Sequence, residues 1–187
     1  MKTRDLSYIA LFAALTAVLG LVPAVQVGPV PITAQTLGVM LAGSILGARR
    51  GFLALLLFLV LVAVGLPVLP GGRGGLAVFA DPSAGYLVSW PLAACVVGLL
   101  TERTWHRYNL AWGLAANVVG GIVVIYAIGV PVLAVISGLG AWDAVRFGAL
   151  VFVPGDLVKA GIAAAVAVQV RRSYPVIERP HRAVATR

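Results

Sequence analysis

Hydrophobic residues come in six long runs along this chain, parted by short stretches where polar residues, glycine and proline collect. The runs occupy roughly 7–24, 33–48, 51–69, 84–101, 110–138 and 147–170. A helix needs roughly 20 apolar residues to cross the hydrocarbon core of a bilayer, and these runs approach or exceed that length. Sustained ten-residue alternation of apolar and polar positions, the mark of a transmembrane barrel strand, is absent. The pattern predicts an all-α fold, an integral membrane bundle of six transmembrane helices built as a single domain over residues 1–187. Two runs carry interruptions, the fifth at Gly129 and Pro131 and the sixth at Pro154-Gly155. No internal repeat is visible, which removes support for an inverted-repeat transporter.

Composition strengthens this picture. The 187 residues are 61% hydrophobic and 11% charged, with a mean hydropathy of +1.03. A soluble domain carries about a quarter charged residues to cover its surface. The net charge of +8 would suggest nucleic acid in a soluble protein, but here the cations sit at the ends of apolar runs. One set of connections holds Lys2, Arg4, Arg49, Arg50, Arg103 and Arg107, and the tail adds Arg171, Arg172, Arg179, Arg182 and Arg187. The other set holds Arg73 and Arg146. The positive-inside rule then places both termini in the cytoplasm, and topology explains the charge better than a nucleic-acid partner does. The opening MKTRD before an apolar run invites a signal-peptide reading. The run, Tyr8 to Ala24, exceeds the usual ~7–15-residue signal core, and no A-x-A site follows.

Little here points to catalysis. Cys95 lies in an apolar run as a buried inert thiol, with no second cysteine to pair. His106 and His181 fall in polar connections and suggest no metal site. There is no H-E-x-x-H and no phosphate-binding G-x-x-x-x-G-K-[ST], so ATP hydrolysis by a P-loop would have to come from a partner.

Candidate chemistry sits where charge enters the apolar runs. In FVPGDLVKAG, residues 152–161, Asp156 follows Pro154-Gly155 and so occupies the first turn of a restarting helix, where the dipole favours an anion. Lys159, three residues on, shares its face. Charges within a membrane cost at least ~2.5–3.5 kcal/mol each, so the two either lock helices together as an ion pair or line a polar ligand site; the second reading is favoured. In PGGRGGLAVFADPSAGY, residues 70–86, glycines Gly72 and Gly74 flank Arg73 in a loop suited to a lid that presents a cation to a carboxylate. The bland reading is a flexible turn with a solvated arginine. Gln35 opens the second run and Asn117 lies in the fifth, each a cavity hydrogen-bonder or interhelical glue. Tyr86 and Trp90, four apart, form an aromatic wall or a membrane-interface belt. Small residues at Ala10/Ala14 and Ala13/Ala17 permit close helix approach, as do Gly43 and Gly47.

Three stretches taken together, PVPITAQTLGVMLAGSILGARRG, GLPVLPGGRGGLAVFADPSAGYL and FVPGDLVKA, resemble the biotin-specific S components (the BioY family) of energy-coupling factor (ECF) transporters, in the family's order and spacing over essentially the whole chain. The resemblance implies six transmembrane helices in the cell membrane of a prokaryote, high-affinity biotin binding from outside, and no ATPase or other catalysis. It implies partners too: a transmembrane coupling subunit and two ATP-binding-cassette ATPases, with an A-x-x-x-A face on the first helix for docking. Ala10/Ala14 or Ala13/Ala17 match that pattern. Biotin is then the transported ligand, and no cofactor or metal is expected. Asp156 would accept from the ureido N–H groups, Lys159 donate to the ureido carbonyl, and Arg73 reach the valerate carboxylate. Both being cations, Lys159 and Arg73 can exchange roles. Two other readings compete: a proton-coupled or solitary secondary carrier with Asp156 as relay, and an S component for a different vitamin.

Overall fold

The computed structural model describes residues 2–26, 28–174, 176 and 177. Arg179, His181, Arg182 and Arg187 lie outside the described residues. Within them the helices gather into six rods. The first four are α1 (Thr3–Leu19), α2 (Gln35–Leu46), α3 (Ala48–Ala63) and α4 (Ala84–Arg103). The fifth joins α5 (Leu110–Val118), a π-helical turn (Val119–Val124) and α6 (Ile125–Ser137). The sixth joins α7 (Ala141–Val145), a second π-helical turn (Arg146–Leu150) and α8 (Val153–Ser173). Three of the rods, Ala84–Arg103, Leu110–Ser137 and Ala141–Ser173, are long and apolar enough to cross a membrane.

The interruptions fall differently from the sequence expectation. The fifth rod runs unbroken through Gly129 and Pro131; its irregularity is the π turn upstream, at Gly120-Gly121. A membrane helix tolerates an internal proline because local π adjustments and neighbouring groups satisfy the freed backbone. In the sixth rod the break precedes Pro154: the π turn ends at Leu150 and α8 starts at Val153, with proline in its first turn, where a missing N–H costs nothing. Asp156 sits in that first turn, as the sequence predicts.

α4 is the central helix, packing against α2, α3, α5 and α6, while α8 packs on α2 and α5. At Gly43 an added Cβ would lie 2.6 Å from the Ala94 carbonyl oxygen, so the Gly43/Gly47 pair serves contact between α2 and α4 inside the chain. Large apolar side chains such as Leu11, Val60, Val135 and Val158 are exposed, whereas Gln35, Ser44, Asn117 and Asp156 are buried. That inversion suits a protein whose solvent is lipid. Cys95 is half-buried rather than enclosed, because its stretch of α4 alternates between core and exterior.

The two ends of the bundle differ. One gathers Asp5, Arg50, Glu102 and Arg171 into ties between helix ends: Arg50 pairs with Asp5 at 2.8 Å, Glu102 accepts from the Ala48 N–H at 2.8 Å, and Arg171 donates to the carbonyls of Trp105 and Tyr108. The other carries a two-residue antiparallel ribbon, Val25–Gln26 with Pro31–Ile32, and the glycine-rich loop around Arg73.

Candidate functional site: a polar cavity under the glycine-rich loop

Between the starts of α2, α4, α6 and α8 lies a cavity of about 610 Å³ counting the open solvent at its mouth. Ligand pockets typically have mostly apolar walls and a few placed polar groups. Asp156 and Lys159 stand on its wall, and their 2.8 Å ion pair is the hub of a network. Lys159 Nζ spends its three N–H donors on Asp156 Oδ1, on Thr36 Oγ1 at 3.0 Å and on the Thr33 carbonyl. The Thr36 hydroxyl donates to Asp156 Oδ1 at 3.2 Å, and Tyr126 donates its phenol proton to Oδ2 at 2.6 Å. The pair thus ties α8 to α2, to the segment before α2 and to α6. Asp156 is 3% exposed, yet its carboxylate has more lone pairs than these three donors occupy.

Two other polar atoms on the same wall have no partner among the described residues. Gln35, fully buried, donates both Nε2 hydrogens, to the Thr16 and Val68 carbonyls at 3.1 Å each, and leaves Oε1 unsatisfied. Trp90, whose ring packs on Phe58 at 5.6 Å, leaves its indole Nε1–H unsatisfied. Buried polar atoms nearly always find partners; Thr101, Tyr108 and Ser137 carry the other unsatisfied side-chain atoms among the described residues, and only Gln35 and Trp90 line this cavity.

Aromatic rings close the sides. Tyr86 stands edge-on to Tyr126 at 6.5 Å and beside Phe152 at 6.3 Å, and its hydroxyl donates to the Gly148 carbonyl at 2.7 Å. Tyr86 and Trp90 are buried, and both line the cavity. Arg73 stands at the mouth and pairs with Asp81 at 2.9 Å. Its loop is folded: Gly71, Gly72 and Gly75 adopt positive φ, Leu69 donates to the Arg73 carbonyl at 3.1 Å, and Gly75 donates to the Val62 carbonyl at 2.7 Å. At Gly74 a Cβ would meet the Leu66 carbonyl oxygen. Gly72 and Gly74 shape the turn and do not themselves line the cavity.

Asn117 is likewise absent from the wall. Its amide accepts from Ser44 at 3.0 Å and donates to the Gly113 carbonyl at 3.0 Å, joining α5 to α2. On α1, Ala10 and Ala14 are exposed with Leu6, Leu11 and Val18, whereas Ala13 is buried in the bundle and Ala17 is half-buried. Thr33, Thr36, Tyr126 and Phe152 were not singled out from the sequence. Tyr126 carried a signal, a hydroxyl within an apolar run; Thr33 and Thr36 looked like ordinary residues beside proline and glutamine.

A model of the BioY family matches residues 1–176. The chain belongs to the BioY family. Relatives within it include the biotin transporter BioY of Rhizobium etli, 51% identical over 95% of this chain and 98% of that protein. The biotin transporter BioY of Rhodobacter capsulatus is 46% identical over 92% and 95%. The crystal structure of the S-component for biotin from an ECF-type ABC transporter superposes with a TM-score of 0.86, at 31% identity, over 92% of this chain and 95% of that one. The all-α membrane architecture and the BioY family membership therefore agree.

Proposed function

We propose that this chain is the biotin-binding S component of an ECF-type importer, a membrane subunit that takes up biotin without catalysis of its own. The observation that carries the reading is the complementary pair of open atoms, Gln35 Oε1 and Trp90 Nε1, beside the Asp156–Lys159 network. A ureido group offers N–H donors and a carbonyl acceptor, so one end of biotin answers both, with the spare lone pairs of Asp156 taking a second N–H. The thiolane ring and alkyl chain suit the walls of Tyr86, Leu87 and Phe152, and Arg73 at the mouth faces the valerate carboxylate. Lys159, already engaged three times, stabilises Asp156, which assigns the carboxylate to Arg73 rather than to Lys159.

In this reading all six rods span the cell membrane of a prokaryote, with both termini cytoplasmic and the cavity opening outward. The coupling subunit docks on the exposed Ala10/Ala14 face of α1, and two partner ATPases supply the energy. Gln35 joins the cavity to α1 through the Thr16 carbonyl. The test is calorimetry of the purified protein in detergent with biotin, thiamine and riboflavin, alongside Trp90→Phe. Biotin-selective heat, with affinity about tenfold weaker in the variant, is expected for loss of one buried hydrogen bond. No heat with biotin, or equal heat with thiamine, would overturn the reading.

A further inference from the structure

Beyond the inner cavity lies a second, outer one of about 860 Å³ counting its open side, walled by Pro23, Ala24, Gln26, Pro29 and Gly71. It shares Pro31, Pro70 and Arg73 with the inner cavity. The two therefore adjoin, and Arg73 borders both. Resting on the proposed orientation of biotin, we propose that the site accepts biotin in amide linkage, N-biotinyl amides of lysine or of other primary amines, with the appended group lodged in the outer chamber.

The chemistry favours this at each point along the ligand. The ureido head and the alkyl chain reach the same inner wall whether the far end is an acid or an amide. At the junction Arg73 gives one Nη1 hydrogen to Asp81, and a guanidinium has five N–H donors in all. An amide carbonyl accepts one of those that remain, and the Arg73–Asp81 pair stays in place. A carboxylate makes an ion pair there while an amide carbonyl accepts only an ion–dipole bond from the same guanidinium, so the free acid binds more tightly without the amide being shut out. Beyond the junction the appended chain meets proline rings, Ala24 and the polar Gln26 rather than a closed wall. Gly71, with φ of 77°, carries no side chain into that space.

The experiment is competition by the lysine side-chain amide of biotin against labelled biotin on the purified full chain, repeated with Arg73→Ala and Ala24→Trp. The amide should displace biotin completely, about 10–100-fold more weakly than the free acid, as expected when an ion pair with Arg73 becomes an ion–dipole bond. In Arg73→Ala the gap between acid and amide should shrink to within a few-fold. In Ala24→Trp, where an indole fills the outer chamber, free biotin should bind as in the parent and the amide should be lost. Biotin binding with no displacement at a ten-thousandfold excess of amide would overturn the inference while leaving the biotin reading intact. So would displacement that Ala24→Trp leaves unchanged. A chain that binds neither compound overturns both.

Discussion

Two cation–carboxylate pairs reach the same cavity, one with both partners and the other through Arg73, and they share little beyond their distance. Asp156 and Lys159 meet at 2.8 Å with side chains 4% and 16% exposed; Arg73 and Asp81 meet at 2.9 Å with side chains 41% and 40% exposed. The inner pair is three residues apart on one helix and gathers Thr33, Thr36 and Tyr126 around it, so the charge of each partner is answered by fixed dipoles. The outer pair bridges eight residues across a loop and is answered by water. Removing one partner of a buried pair costs about 3–5 kcal/mol because the other charge is stranded, whereas an exposed pair contributes about 0–1 kcal/mol. On the proposed reading the inner pair thus belongs to the fold and to the site together. The outer pair can be altered with consequences confined to the ligand.

The largest effect should come from breaking the inner pair. Asp156→Ala leaves the Lys159 ammonium with two neutral acceptors in a largely buried place. We expect about 3–5 kcal/mol lost from stability in thermal or denaturant unfolding, and biotin affinity reduced beyond calorimetric detection. The comparison sharpens with Asp156→Asn combined with Lys159→Met, which removes both charges at similar volume. It should regain most of the stability and little of the affinity. If affinity returned with stability, the inner pair would be a helix lock and nothing more.

Tyr126→Phe probes the inner pair more gently. It keeps the ring against Tyr86 and removes only the 2.6 Å bond to Asp156 Oδ2. A hydrogen bond to a charged group is worth about 1.5–3 kcal/mol, so unfolding should shift by that amount and biotin should bind about tenfold more weakly. Unchanged stability would mean that Asp156 finds another donor, and the network would be looser than its distances imply.

How much of this contrast was legible in the sequence follows from how local each feature is. Asp156 and Lys159 announce themselves because charge inside an apolar run is rare, and the proline-glycine pair before them dictates a helix start. The helical runs are equally local, a matter of composition over some twenty residues. What binds to the pair is not local: Thr33 and Thr36 lie 120 or more positions away and reach it only because α2 packs on α8. The same limit applies to Asn117. A buried amide in an apolar run reads alike whether it faces a cavity or Ser44, and only the packing of α5 on α2 decides for Ser44. Ala10/Ala14 and Ala13/Ala17 are indistinguishable as patterns; the rotation of α1 exposes the first pair and buries Ala13. Proline placement misled for a similar reason. Pro131 reads as a break, but a rod enclosed by neighbours on one side and apolar surroundings on the other keeps its helix.

Arg73→Ala tests the outer pair and should act on ligand alone. Surface substitutions away from buried networks stay within about 0.5 kcal/mol, so unfolding should be unchanged. Biotin affinity should fall about tenfold at low ionic strength, the worth of one partly exposed charge-assisted bond. Added salt should narrow the difference between parent and variant, because exposed charges are screened over about 10 Å at 0.1 M. Salt-independent loss, or any loss of stability, would move Arg73 from the outer class to the inner one.

Asp81→Asn should give the smallest effect and the cleanest separation. On the proposed orientation it removes the anion that shares Arg73 with the ligand carboxylate, while the amide still holds the guanidinium by an ion–dipole bond. Stability should again stay within about 0.5 kcal/mol. Competition between two carboxylates for one guanidinium disappears, so biotin should bind a few-fold more tightly at low salt, and its uncharged amides should bind as before. If biotin bound more weakly instead, Asp81 would be positioning Arg73 rather than competing for it, and the guanidinium would owe its place at the mouth to that 2.9 Å contact rather than to the folded glycine turn beneath it.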